Sequence, residues 1–166
     1  MSSEHYYTGY LDTPIGILQL GFTEEKKLCF AHFNEDDVFT EVANSMQVEE
    51  IQTAIAQLKE YFEGTRKTFS IPLAPKGTYF QKKVWEKLEK IPFGKTASYQ
   101  EMANQLGDPK VIRAAASANG KNPIAVIIPC HRVIGSDGSL TGYAGGLHRK
   151  KWLLEHESPV KQQSLF

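Results

Sequence analysis

Two cysteines in 166 residues, Cys29 and Cys130, are too few for a disulfide framework, so at least one thiol is expected to be free and reduced. No apolar run is long enough to cross a bilayer. The opening MSSEHYYTGY has neither the basic nor the apolar region of a signal peptide. A cytoplasmic protein with no membrane partner is therefore expected. A net excess of charge is also missing, since 19 Lys and Arg balance 19 Asp and Glu. What is present, 41% hydrophobic and 23% charged residues, excludes a disordered chain. The length suits one compact domain or two small lobes.

The zero net charge hides an asymmetry. Residues 1–75 hold 5 Lys and Arg against 12 Asp and Glu, a net of −7; residues 76–157 hold 13 against 7, a net of +6. A basic second half suggests a polyanion as partner, nucleic acid first. The alternative is that the two halves simply complement each other.

Local patterns divide the chain in the same place. HYYTGYL, IGILQLGF and KLCFAHF are rich in aromatic and branched residues and read as strands, with DTPIG and TEEKK as turns. Val48, Ile51, Ile55, Leu58 and Phe62 recur at helical spacing, and Gly64 follows as a cap. FSIPLAPKG reads as an extended connector, which places a boundary near Pro75: lobes 1–75 and 76–166.

The second lobe reads as helical. Thr78 is a candidate N-cap for a helix with Phe80, Val84 and Leu88 on one face. Ser98 and Glu101 form a capping-box pattern for another. PKVIRAAASANG reads as a short helix with Pro109 in its first turn and Gly120 as its stop. LHRKKWLLEHE reads as the last. Helix, Gly-containing turn, helix is the helix-turn-helix outline, although two helices packed for structural reasons give the same pattern.

PIAVIIPCHRVIG, Pro123 to Gly135, concentrates the chemistry. Ile124 to Ile128 reads as a buried strand or a tight core segment, and Cys130 stands where it meets polar residues. A cysteine is ordinarily a small buried hydrophobe. Here Pro129 restricts the backbone, His131 and Arg132 supply positive charge expected to lower the thiol pKa, and glycines 135, 138, 142, 145 and 146 allow close approach to backbone. Cys29 has no such setting and reads as structural. His131 is a candidate base for Cys130, in direct contact or across a water, or else a satisfied structural histidine. Glu157 is placed to orient that histidine or is simply solvated. In RAAASANGKNP, Ala114, Ala115, Ala116, Ser117 and Ala118 are too small to read bases in a major groove. Such a helix suits non-specific minor-groove contact, with Arg113 as its one long side chain, or packs on another helix through its alanines.

IPCHRV, with SYQ upstream, RAAASANGKNP between them and GYAGG…WLLEHE after, resembles the O6-alkylguanine-DNA alkyltransferases (methylated-DNA–protein-cysteine methyltransferases), most closely their prokaryotic stand-alone form. The resemblance is strong over 76–157 and looser over 1–75. It implies an α+β chain: an N-terminal lobe with a small antiparallel sheet and helix, ribonuclease-H-like, and a C-terminal helical lobe with a winged helix-turn-helix. It implies direct DNA repair by a suicide transferase with no cofactor. The alkyl group of O6-alkylguanine, or alternatively O4-alkylthymine, passes irreversibly from a flipped base in duplex DNA to Cys130. By the same resemblance His131 and Glu157 deprotonate Cys130, Tyr99 assists flipping and hydrogen-bonds the leaving base, and Asn122 braces the active-site turn. Arg113, with Ala114, Ala115 and Ala118, enters the minor groove, and Tyr143, Ala144, Gly145 and Ala125 line the alkyl pocket. The partner is double-stranded DNA, bound by a monomer, with clustering along DNA as a further expectation.

The chain departs from the family's pattern in three places. His5, Cys29 and His32 do not match the N-terminal zinc set of some members, so no metal is expected. Ala125 replaces a proline of some members, so larger adducts are expected to fit. Ala144 replaces a serine. Three rivals remain: an alkyltransferase-like protein, which lacks the reactive cysteine; a cysteine hydrolase, whose nucleophile and base come from distant positions; and a helix-turn-helix regulator, which needs polar side chains on its second helix.

Overall fold

The structure, a computed structural model, describes residues 6–33 and 46–159 and divides into two compact units, Met1–Lys76 and Gly77–Phe166. Among the described residues the first holds three strands, β1 (Tyr7–Thr13), β2 (Gly16–Phe22) and β3 (Leu28–Phe33), and one helix, α1 (Glu49–Glu63). The strands pair antiparallel in the order β1-β2-β3. Alternation sends Leu18, Leu20 and Phe22 inward along β2, with Leu11 opposite Leu18. On β3, Leu28, Ala31 and Phe33 are all buried although 28 and 31 differ in parity. A register shift opposite Gly21 and Phe22 resets the phase, as an extra residue in one strand does. Cys29 sits at that irregularity, and its thiol donates to the Gly21 carbonyl at 3.3 Å.

Helix α1 buries Ile51, Ala54, Ile55, Leu58 and Tyr61. It lies so close to β1 that a Cβ on Gly9 would stand 2.7 Å from Ile51 Cγ2. Gly64 ends the helix with φ +89°, the left-handed conformation that glycine adopts without strain. The connector expected at FSIPLAPKG runs extended, and Leu73 bridges to Leu28.

The second unit contains α2 (Tyr79–Glu89), β4 (Ala97–Ser98), α3 (Tyr99–Gln105), α4 (Ile112–Gly120), β5 (Val133–Ile134) and α5 (Leu147–Glu157). Both expected caps form. Thr78 Oγ1 accepts from Gln81 N, and Ser98 Oγ accepts from Glu101 N, each with the reciprocal bond from the third residue. A 3₁₀ turn, Pro109–Val111, leads into α4, and the Asp108 carboxylate accepts from Lys110 N at its start. α4 ends at Gly120, as expected; Lys121 is the cap, with ordinary negative φ.

Val84, Trp85 and Leu88 of α2 are buried, and the Trp85 indole N–H donates to the Ala118 carbonyl at 2.9 Å. The alanines of α4 let the indole reach that backbone. This overturns part of the expected DNA-contacting set: Ala115 and Ala118 are each 2% exposed and face the core. Positions three apart share one helical face, and that face is taken by packing. Arg113, Ala114 and Ser117 remain exposed. β4 and β5 form a two-residue parallel pairing that joins the start of α3 to the segment after Arg132.

Candidate active site

Ile124–Ile128 is the tight core segment rather than the strand. Its backbone folds on itself: Ile127 N donates to Ala125 O at 2.8 Å and Ile128 N to Ile124 O at 3.1 Å. Val126 has φ +70°, a left-handed conformation that costs an L-residue about 1–2 kcal/mol. Two features offset that strain. Ile124, Val126 and Ile128 are at most 1% exposed. Asn122 also binds both ends of the turn: its Nδ2 donates to Ile124 O at 3.2 Å and Ile128 O at 2.7 Å, and its Oδ1 accepts from Ile124 N at 2.9 Å. Pro129 then delivers Cys130 into a 3₁₀ turn, Cys130–Arg132.

Glu157, at the end of α5, is not solvated. Its Oε2 meets His131 Nε2 at 2.7 Å, and the Arg132 guanidinium grips both carboxylate oxygens, Nε to Oε1 at 2.7 Å and Nη2 to Oε2 at 3.0 Å. Arg132 also donates to Ile91 O at 2.6 Å. Hydrogen bonds from His131 and Arg132, together with the Arg132 charge, hold the carboxyl far below the ordinary carboxylate range despite burial. Burial outweighs Glu157 at His131 and lowers its pKa, so the imidazole is neutral. With Nε2–H directed to Glu157, Nδ1 is left as an acceptor, and it has no partner among the described residues.

The expectation that neighbouring charge lowers the thiol pKa does not hold. Cys130 is 6% exposed, and burial pushes its pKa up. His131 is neutral and the Arg132 charge is spent on Glu157. The groups that do favour the thiolate are Asn122, by hydrogen bonding, and Lys150, by charge. Sequence reasoning missed Lys150. Its side chain is fully buried on α5, and Nζ donates to the carbonyls of Thr141 at 2.8 Å and Gly142 at 3.4 Å. Burial lowers its pKa to about 8. The signal was available: Lys150 stands seven residues before Glu157, two turns up the same helical face.

Beside this cluster opens a cavity of about 600 Å³ lined by Tyr99, Arg113, Asn119, Thr141, Tyr143 and Ala144, among others. Tyr99 begins α3, Arg113 belongs to α4, and the others in this group after Asn119 lie on the loop before α5. Four expected residues, Tyr99, Arg113, Tyr143 and Ala144, thus share one wall. Two expected pocket residues are not in it. Ala125 is half-buried in the strained turn, and Gly145 gives its carbonyl to Arg149 Nη1 at 2.9 Å. Asn119, also missed, joins the cavity to Cys130: it lines the wall, and its Nδ2 donates to the Cys130 carbonyl at 3.4 Å. The Tyr143 hydroxyl is buried with no partner among the described residues, and burial raises its pKa.

Among the described residues no three His, Cys, Asp or Glu side chains are grouped to hold a metal, and no helix is long and apolar enough to cross a membrane. His5 lies outside the described residues.

Residues 6–75 match the family described as "6-O-methylguanine DNA methyltransferase, ribonuclease-like domain", and residues 79–159 match its "DNA binding domain". The methylated-DNA–protein-cysteine methyltransferase of Methanosarcina acetivorans is 46% identical over 153 residues, 91% of this chain and 97% of its own length. The constitutive enzyme of that name from Bacillus subtilis is 44% identical over 145 residues, covering 85% and 87%. The crystal structure of Mycobacterium tuberculosis OGT in complex with DNA superposes with a TM-score of 0.81 at 42% identity, over 93% of this chain and 96% of that one. A buried cysteine flanked by a His–Glu pair, in a chain matched along both domains, leads to one assignment: the protein belongs to the methylated-DNA–protein-cysteine methyltransferase family, with a ribonuclease-like sheet-and-helix domain followed by a helical domain with a helix-turn-helix region.

Proposed function

We propose that this chain repairs duplex DNA directly, by moving the alkyl group of O6-alkylguanine onto Cys130 in a single-use reaction. The observation that carries the reading is the His131–Glu157 contact at 2.7 Å beside a thiol that burial keeps protonated. A neutral, buried thiol is a poor nucleophile and needs a base. His131 Nδ1 takes the Cys130 proton, directly or across one water, and Glu157 stabilises the imidazolium that results. The charge at Lys150 stabilises the thiolate.

The thiolate attacks the alkyl carbon. The S–C bond forms, the C–O6 bond breaks, and the electron pair leaves with guanine. Tyr99, on the cavity wall, gives its proton to the departing base and recovers one from the imidazolium through solvent. The net change is a thiol converted to a thioether and an alkylated guanine restored. A thioether is a poor leaving group, so the alkyl group stays on Cys130 and one chain serves one lesion.

A base inside the stack cannot reach a cysteine that is 6% exposed, so the nucleotide must be turned out into the cavity. Ala114 and Ser117 leave the outer face of α4 low enough to approach a minor groove, with Arg113 filling the gap in the stack. The protein acts as a monomer in the cytoplasm.

The test is intact-protein mass spectrometry with peptide mapping after mixing with duplex DNA that carries one O6-methylguanine. One methyl on Cys130, saturating at one per chain, is the expected result. Tight binding without mass gain would make the chain a lesion sensor and remove the catalytic assignments.

A further inference from the structure

We propose that Thr141 is a positioning residue for the leaving-group proton: its hydroxyl holds the phenol oxygen of Tyr99 and stabilises the charge that grows there as the proton departs. The inference rests on the role given to Tyr99 above.

Tyr99 and Thr141 make two hydrogen bonds of opposite sense. The Tyr99 hydroxyl donates to the Thr141 carbonyl at 3.1 Å, and Thr141 Oγ1 donates to the Tyr99 oxygen at 3.3 Å. The same carbonyl accepts from Lys150 Nζ at 2.8 Å. At rest the phenol proton is therefore stored on a carbonyl, not offered to the cavity. When a base enters, the O–H can turn to it at little cost, because the carbonyl it leaves keeps the Lys150 ammonium and is not orphaned. The bond from Thr141 Oγ1 to the phenol oxygen survives that rotation. It then becomes charge-assisted, since its acceptor turns toward phenolate as the proton passes to guanine. Lys150 Nζ, 5.8 Å above the Tyr99 ring, acts in the same direction. Thr141 thus differs from a loop residue that merely closes the cavity: its hydroxyl matters only if the Tyr99 oxygen is present.

A double-mutant cycle in the full chain isolates that dependence. Single-turnover transfer is measured on duplex O6-methylguanine for wild type, T141V, T141S, Y99F and Y99F/T141V, with affinity for undamaged duplex as a control. T141V keeps the shape and the carbonyl but removes the donor, and is expected to slow transfer roughly tenfold. T141S restores the donor and the rate. In the Y99F background the valine costs less than about twofold, and T141V binds undamaged duplex as T141S does. An equal loss in both backgrounds would make Thr141 a structural residue and overturn the inference. So would wild-type speed in T141V alongside a slow Y99F, which leaves Tyr99 its role. Wild-type speed in Y99F would remove the Tyr99 assignment itself, and the Thr141 role with it.

Discussion

Replacing Glu157 with Gln changes almost nothing in volume and everything in charge. The carboxylate accepts three hydrogen bonds, from His131 Nε2, Arg132 Nε and Arg132 Nη2, and it is 3% exposed. A carboxamide has one acceptor atom. Turned to keep its oxygen on His131 and Nη2, it faces its NH₂ at Arg132 Nε, donor against donor; turned the other way, it loses two bonds. In either case the buried guanidinium, itself 6% exposed, loses its counter-charge. Removing one partner of a buried pair costs about 3–5 kcal/mol. For a chain of this size that lowers the melting temperature by about 10 °C. Chemistry suffers separately, because an imidazolium at His131 has no anion to stabilise it, and transfer falls by roughly a hundredfold. Thermal unfolding and single-turnover transfer on O6-methylguanine duplex check both numbers.

The pH dependence provides an internal control. Glu157 has a folded pKa depressed from its ordinary 4.5, so its contribution is full above that value and is lost as pH falls through the folded one. The stability gap between wild type and E157Q should therefore narrow in acid. A variant within about 1 kcal/mol of wild type at neutral pH that transfers at an undiminished rate would refute the account of the site as a charge-balanced His–Glu–Arg cluster.

Three further outcomes follow from the same geometry. With the His131 pKa lowered and that of Lys150 near 8, the transfer rate should climb with pH only below the ordinary imidazole range, as His131 loses its proton, and fall as Lys150 discharges; K150M should be slower by roughly tenfold at pH 7 and lose the alkaline fall. Asn122→Ala removes three bonds from the turn that holds Val126 at φ +70°, so it should cost about 2–3 kcal/mol and slow transfer, whereas stability within error of wild type would show the turn to be self-supporting. Methylation of Cys130 adds bulk in a packed site and removes the option of a thiolate, so the alkylated protein should melt several degrees lower, by roughly 1–3 kcal/mol of overpacking; equal midpoints for both forms would contradict this.

The elements were legible because their signals are local. Alternating branched and aromatic residues mark β1 to β3, Thr78 and Ser98 announce α2 and α3, and the span LHRKKWLLEHE coincides with α5. The acceptor motif was legible too, since Pro-Cys-His-Arg concentrates unusual chemistry in four consecutive positions. Ionisation was not. The sequence sets Cys130 beside His131 and Arg132, which suggests a low thiol pKa, but burial and a partner 25 residues away decide otherwise: Arg132 spends its charge on Glu157, and the thiol is left to desolvation. Nor does a run of alanines say which of them face outward. Trp85, 33 residues earlier, takes the Ala118 carbonyl and with it the inner face of α4. Lys150, Thr141 and Asn119 drew no role from the sequence because each matters only through what folding brings against it: a tyrosine ring, two loop carbonyls, the backbone of Cys130. Spacing along the chain determines helices, strands and caps, since those depend on neighbours within about four residues. Burial, proton affinity and the pairing of charges depend on distances through space, and only the tertiary structure supplied them.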